Sequence, residues 1–361
     1  MPSVSEALFE LREAVDAYRR IEDWLHAQGF FVTGDAELVA DLYLGYGLSQ
    51  AIRRSTEPPP PEPCVELPLA ACRVRPAERT GQFAAEGCHI GAWERTWTAA
   101  EYQAAIDEVR SAVARGDVYQ VNLVQHLSAA FSGDPNALAA RLASLRPRSS
   151  VPFVTASWAV VSASPELFLA RRGDRVWTMP IKGTRPLGGA AQLRGSEKDA
   201  AEHVMIVDLE RNDLSRVCKA GTVRWPELMA TQELAGVEHM VSTVEGQLRE
   251  AIGLAEILEA TFPGGSVTGA PKIAAVDLIA ELEPVGRGAS MGAIGAVYPN
   301  GDFDLTLTIR TFAVAAGALH LWVGGGVVWD SDAASEVEES WTKARPLLDA
   351  IGSRVPEALA S

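Results

Sequence analysis

Lys182 follows an apolar stretch in Met179-Pro-Ile-Lys-Gly-Thr-Arg185 and precedes a glycine, so its ammonium leaves a strand end at a turn. In an apolar wall near a metal cation, a lysine has its charged form disfavoured, and the free amine becomes available as a nucleophile. A lone Lys-Gly would mean little, because lysines beside turns are mostly surface charges. Glu166, in Ser164-Pro-Glu-Leu-Phe-Leu169, is a carboxylate beside an apolar run and suits proton transfer if it is buried. His239, in Glu238-His-Met-Val-Ser-Thr243, reads either as a general acid or as a satisfied core histidine.

Carboxylates recur at helical spacing in two distant segments. After the capping residue Ser196, Asp199, Glu202 and His203 fall on one helix face, and Glu336 and Glu339 stand three residues apart near the C-terminus. For one such run alone a solvated helix surface is the simpler reading. Two pairs from separate segments are what a hard octahedral cation such as Mg²⁺ takes, with water and an anionic substrate completing its shell.

Two glycine-rich segments offer backbone to a ligand. Phe262-Pro-Gly-Gly-Ser-Val-Thr-Gly-Ala-Pro-Lys272 runs into a helix, and its N–H groups suit a carboxylate or phosphate. It lacks the Gly-Lys-Ser/Thr ending of a nucleotide-binding loop, because Ala270 and Pro271 separate Gly269 from Lys272. Gly324, Gly325 and Gly326 follow an apolar strand and allow close approach of a ligand. Arg310 lies inside the expected strand Leu305 to Phe312 and needs an anionic partner if buried.

The elements that must position these residues are partly evident. Thr98 and Glu101 form a capping box, Tyr102, Ile106, Val109 and Val113 mark one apolar face, and Gly116 closes that helix. The following strand, residues 119–127, carries Gln120, Asn122 and His126 on a face without full charge. Further strands are expected at 151–162, 166–171, 175–181, 291–299, 303–313 and 319–329. Helices are expected at 134–145, 196–218, 253–260, 271–282 and 333–350. Residues 4–28 read as helical, and Ala36 to Arg53 as a second helix weakened by Gly45 and Gly47. Strand–turn–strand runs outnumber β-α-β alternation, which predicts an α+β fold with large antiparallel sheets.

Composition narrows the partners. A formal charge of −15 with no cluster of Lys and Arg argues against nucleic acid. The N-terminus lacks a signal-peptide pattern and no apolar run is long enough for a bilayer, so no membrane partner and a cytoplasmic location are expected. The four cysteines show no metal-binding spacing and read as reduced, mostly buried thiols. Residues 55–63, Ser-Thr-Glu-Pro-Pro-Pro-Pro-Glu-Pro, read as a stiff exposed connection. The expected organisation is an N-terminal region 1–94 containing it, a catalytic core 95–352 and a tail 353–361.

In order, GDVYQVNL, SPELFL, PIKGTRP, EKDAAEHVMIVDLERNDL, HMVSTVEG, FPGGSVTGAPK, IRTF and GGGVVWDS resemble the motifs of the chorismate-utilising enzymes. That family includes aminodeoxychorismate, anthranilate, isochorismate and salicylate synthases, and the resemblance covers roughly 95–352. It implies two large antiparallel β-sheets packed as a sandwich with helices outside. Isochorismate and salicylate synthases carry a water-activating lysine where this chain has Gln120, and anthranilate synthases have PIAGT in place of PIKGT. The resemblance therefore implies amination of chorismate at C4 on the route to 4-aminobenzoate, with Lys182 as covalent nucleophile. By motif position, Glu166 is the implied acid/base, and His239 lines the ring. Glu202 and Glu339 are the implied direct Mg²⁺ ligands, with Asp199 and Glu336 supporting them. Gln120, Ser266, Arg310, Gly324, Gly325, Gly326 and Lys343 match substrate-binding positions. Finding no glutaminase segment, we expect ammonia from a separate glutamine amidotransferase subunit. The alternatives are an anthranilate synthase component and a non-catalytic scaffold or regulatory relative.

Overall fold

A computed structural model describes residues 7–32, 37–77, 83–149, 151–234 and 237–354. Among these, the strands form one ten-stranded and one seven-stranded sheet, with antiparallel pairing throughout. This is the expected α+β architecture. The two sheets meet across a shared apolar core, where the rings of Tyr43 and Trp158 lie 5.8 Å apart and Arg73 stacks on Phe153 while bonding Val154 O. Helices cover the outside, among them Ala333–Ala350, which packs on the strand Ala318–Val327.

Local signals hold where the bonds are local. Thr98 accepts from Glu101 N, and Glu101 accepts from Thr98 N at 2.7 Å, closing the capping box of the helix Ala99–Arg115. Ser196 caps the helix Glu197–Ser215 through Asp199 N. The expected strands 166–171 and 175–181 appear as Leu167–Arg172 and Arg175–Met179, and Ile181–Pro186 follows as a strand of its own.

Four expectations are corrected, the first being 151–162, which is not one strand but a hairpin of Phe153–Val154 and Trp158–Ser162 turning between Thr155 and Trp158. Within 4–28, Ala7–Leu11 is a strand and only Ala17–Ala27 is helical, the two separated by Asp16 at φ 51°. In Ala36 to Arg53, Ala36 lies outside the described residues; Leu38–Leu44 is a strand and Tyr46–Ile52 a 3₁₀ turn. That strand is covered on both faces, and its residues, apolar except for Asp41, carry no period that separates strand from helix. The expected single strand 303–313 is two, Phe303–Leu307 in the larger sheet and Thr311–Ala315 in the smaller, with a corner at Arg310. The hairpin Arg224–Leu234 and Val237–Gln247 had no sequence counterpart, because its register is irregular and its first strand is largely exposed and polar.

The proline-rich connection is exposed from Thr56 to Pro59 but anchored at its end. Pro61 O accepts from Gly286 N, and Glu62 accepts from Gly288 N. Strands from residues 7–76 belong to the same large sheet as those of the core. A cavity of about 420 Å³ lined by Asp41, Arg75, Arg148, Phe153, Tyr298 and Asp304 contains none of the expected site residues. No helix among the described residues is long and apolar enough to cross a membrane. The four cysteines are free.

His126 and His320 are buried side by side, Nε2 to Nδ1 at 3.0 Å, with Thr96 Oγ1 2.6 Å from His126 Nδ1. Burial pushes His126 down to about 3, helped by its neighbour, and burial pushes His320 down to about 4. Unfolded histidines take protons near 6.5. The stability this pair contributes is therefore complete above that value and is lost as pH falls from about 6.5 toward 3. Urea titrations from pH 7 to 4.5 should show a falling midpoint, with a flatter dependence in His126→Gln/His320→Gln; an equally steep dependence in that variant would remove the pair as its cause.

Candidate active site

The strand Ile181–Pro186 pairs with Val237–Gln247 and shifts register between Lys182 and Thr184. Gly183 makes that bulge at φ 64°, and a Cβ there would lie 2.8 Å from Leu193 Cδ2 and 3.5 Å from the Asp199 carboxylate. The bulge turns Lys182 into a partly buried setting. Burial lowers its pKa, Lys343 works in the same direction, and Glu202, Glu166 and Glu339 oppose them. Lysine, acid/base candidate and both expected direct metal ligands thus share one electrostatic neighbourhood.

Glu166 is buried at the mouth of the strand Leu167–Arg172. Its Oε1 accepts from Ser266 Oγ at 2.8 Å and from Ile181 N at 3.4 Å. Burial raises its pKa, while Ser266, Lys182, the Ile181 amide and Arg310 pull it down. Burial also lowers the Arg310 pKa, and the charge of Glu166 opposes that shift. Arg310 reaches the site from the corner between the two sheets, at φ 49°, with its carbonyl accepting from Ala163 N. His239 is buried beside the bulge, Nδ1 3.2 Å from Gly183 O, and burial lowers its pKa.

The opposite wall comes from the smaller sheet. A side chain at Gly324 would strike Leu123 O, and one at Gly326 would strike the Gln120 amide. A Cβ at Gly325 would lie 3.1 Å from Lys343 Nζ and 3.5 Å from both Glu336 Oε2 and Glu339 Oε1. The C-terminal helix therefore lays its polar groups over bare backbone. Lys343 donates to Gly324 O at 2.9 Å and pairs with Glu339 at 2.7 Å. Gln120 is fully buried, and neither of its amide atoms has a hydrogen-bond partner among the described residues. A buried amide left this way has capacity for a ligand.

The four expected metal carboxylates are placed unequally. Glu336 is buried and accepts from Ser331 Oγ at 2.7 Å, while Asp199 is ion-paired with Arg185 at 2.8 Å. No group of three or more Asp, Glu, His or Cys side chains is gathered as metal ligands among the described residues. Glu202 and Glu339 instead face the same lysine from separate helices. Hard carboxylate oxygens in that number fit Mg²⁺, which keeps several waters and is commonly held by one or two protein carboxylates together with the substrate. His203, grouped with these acids by spacing, bonds Ser242 Oγ at 2.6 Å in the interior.

Sequence reasoning passed over the scaffold beneath the site. Glu283, at the end of the helix Lys272–Leu282, and Arg287, four residues on in the following loop, form a fully buried ion pair. Glu283 accepts from Val124 N, and Arg287 donates to Asn122 O at 2.6 Å and Val267 O at 2.9 Å while stacking on Tyr46. One pair thereby fixes the strand carrying Gln120 to the turn carrying Ser266. Glu283-Pro-Val-Gly-Arg287 has left the helix Lys272–Leu282, so no helical spacing in the sequence marks the pair.

Residues 42–349 match the family model described as chorismate binding enzyme. The chain is 38% identical over 314 residues to anthranilate synthase component 1 of Streptomyces coelicolor, covering 84% of this chain and 59% of that protein. It is 37% identical over 288 residues to aminodeoxychorismate synthase component 1 of Bacillus subtilis, covering 77% and 59%. Anthranilate synthase component 1 of Thermus thermophilus is 43% identical over 256 residues, covering 68% and 54%. The chain thus spans between 54% and 59% of the length of these relatives. Among solved structures, anthranilate synthase component I from Streptococcus pneumoniae superimposes with a TM-score of 0.81 at 22% identity, covering 96% of this chain and 92% of that one. The menaquinone-specific isochorismate synthase MenF from Escherichia coli gives 0.70 at 17%, covering 97% and 84%. Both structures share the fold.

Replacing Arg287 by Met leaves Glu283 buried without its charge partner, and should cost about 3–5 kcal/mol of stability in denaturant unfolding. A loss under about 1 kcal/mol, the level of an exposed ion pair, would show that the pair does not carry the scaffold.

Proposed function

The chain belongs to the chorismate binding enzymes, and from that premise we propose that it replaces the 4-hydroxyl of chorismate by an amino group. Lys182 is the observation that carries this reading: an amine with lowered pKa at a bulged strand end, facing Glu166, Glu202 and Glu339. Its neutral Nζ attacks C2 of chorismate, and the ring double bonds relay an electron pair to C4, where the hydroxyl leaves as water with a proton from Glu166. Burial, which raises the pKa of Glu166, favours that donation. Ammonia then attacks C4, the electron pair returns along the ring, and the C2–N bond breaks to release Lys182 as a neutral amine. The new ammonium gives its extra proton to the Glu166 carboxylate, so chorismate and ammonia yield the 4-amino product and water.

Arg310, Ser266 and the backbone of Gly324 to Gly326 would hold the substrate carboxylates, with Lys343 beside them. Gln120, an amide without a basic nitrogen, cannot deprotonate water, which disfavours hydroxide attack. Glu202 and Glu339 would hold Mg²⁺, with Glu336 and Asp199 behind them. Bound there, the cation would neutralise substrate carboxylate charge and activate the leaving hydroxyl. The "component 1" names of the relatives support a second component, which we take to be a glutamine amidotransferase delivering ammonia. A second reading, amination at C2 as in anthranilate synthase, is favoured by equal similarity to relatives of both names.

The deciding experiment incubates the chain with chorismate, MgCl₂ and ammonium, with and without an aminodeoxychorismate lyase, and separates the aromatic products. Lyase-dependent 4-aminobenzoate is expected; anthranilate formed without lyase would establish the second reading. Lys182→Ala should abolish the 4-amino product while leaving chorismate binding nearly intact, and wild-type turnover in that variant would remove the nucleophile. Because Lys182 must be neutral and Glu166 protonated, kcat/KM should have a rising limb, set by Lys182 below the ordinary lysine value of about 10.4, and a falling limb set by Glu166. A rising limb found only above that value contradicts a perturbed amine. Glu202→Ala and Glu339→Ala should each lose Mg²⁺ dependence together with activity, and a normal Mg²⁺ titration in either would sink that assignment.

A further inference from the structure

Glu210 lies on the helix Glu197–Ser215, two turns beyond Glu202, and is buried against the glycine-rich turn Gly265–Val267. Its Oε1 accepts the Gly265 amide at 3.0 Å. The next residue, Ser266, donates to Glu166 Oε1 at 2.8 Å. A Cβ on Gly265 would stand 2.6 Å from Leu209 Cδ2 and 3.0 Å from Glu210 Oε1, so helix and turn meet with no room for a side chain. Behind Glu210, Asp213 is buried and bonded to Lys272, whose ammonium also reaches Thr261 O at 3.0 Å. A buried acid behind the turn thus sits two hydrogen bonds away from the proposed proton donor.

We propose that Glu210 is a positioning residue for the reaction: by accepting the Gly265 amide it seats the turn so that Ser266 holds Glu166 facing Lys182. This rests on the C4-amination reading only in giving Glu166 the proton; the linkage itself is geometric. The groups facing Glu210 are Asp213 and Lys272 on one side and Glu166 across the turn. Burial and the Asp213 charge raise its own pKa to about 8, while Lys272 and the Gly265 amide oppose that rise. The contact needs an acceptor oxygen, which a protonated carboxyl and a carboxamide both retain.

Four variants separate positioning from bulk stability. Glu210→Leu removes the acceptor, and Gly265→Ala pushes the turn away with Glu210 intact. Both should lower kcat about tenfold to a hundredfold, as misplacement of a reacting group does, with any rise in KM for chorismate no larger than that of Ser266→Ala. Both should also move the pH limit set by Glu166 upward, because the Ser266 hydrogen bond favours its carboxylate form. Ser266→Ala should produce the same displacement, and combining it with Glu210→Leu should add nothing further. Glu210→Gln, which keeps the acceptor, should restore kcat to within about threefold of wild type. The inference is overturned if Gly265→Ala leaves both kcat and the limit in place, if Glu210→Gln loses as much as Glu210→Leu, or if the Ser266→Ala and Glu210→Leu effects add. Should Glu210→Leu fail to fold, Gly265→Ala and Glu210→Gln still decide. A wild-type chain that forms no amine product refutes the proposed function instead, so the two failures are distinct.

Discussion

The site rests on a buried ion pair. Arg287 and Glu283 sit where water does not reach, and each charge is costly there unless every donor and acceptor around it is used. Their bonds to Asn122 O, Val124 N and Val267 O meet that cost. The same bonds fasten the central strand of the smaller sheet to the glycine-rich turn. With Asn122 and Val267 fixed, Gly269 and Ala270 pair with Val121 and Gln120, and the turn has little freedom left.

On that base the pocket is a balance of charge. Lys182, Lys343 and Arg310 bring three positive groups to an interior flanked by Glu166, Glu202 and Glu339. Burial works against the charges of Lys182, Arg310 and Glu166, which is why that lysine and the arginine shift down and Glu166 shifts up. Lys182 and Glu166 are poised for amine and proton chemistry because burial pulls each away from its ordinary charge state. The glycines opposite matter for a separate reason. Gly324 and Gly326 leave backbone bare where a side chain would collide with the neighbouring strand or with Gln120, and that bareness gives a ligand room to approach.

Corrections to the sequence reading share one cause. The caps at Thr98 and Ser196 were evident because their hydrogen bonds span three residues. The strand Leu38–Leu44 was mistaken for helix because burial on both faces erases the alternation that marks a strand. The strand predicted across 303–313 was broken because Arg310 turns the chain from one sheet into the other, a demand set by packing and invisible in the local pattern. Asp199 was grouped with Glu202 by helical spacing, yet its nearest charge is Arg185 from another element.

The chain by itself determined the chemistry available: a lysine before a glycine, carboxylates at helical spacing in two segments, and glycines where backbone must be bare. These are properties of residue type and short spacing, and they need no knowledge of distant neighbours. Only the tertiary structure decided that Glu166, Ser266, Lys182 and Arg310 share one interior, and that Glu283, Arg287 and Glu210 support it from behind. Those contacts join residues up to 165 positions apart, and a one-dimensional pattern carries no information about which buried charge will meet which amide.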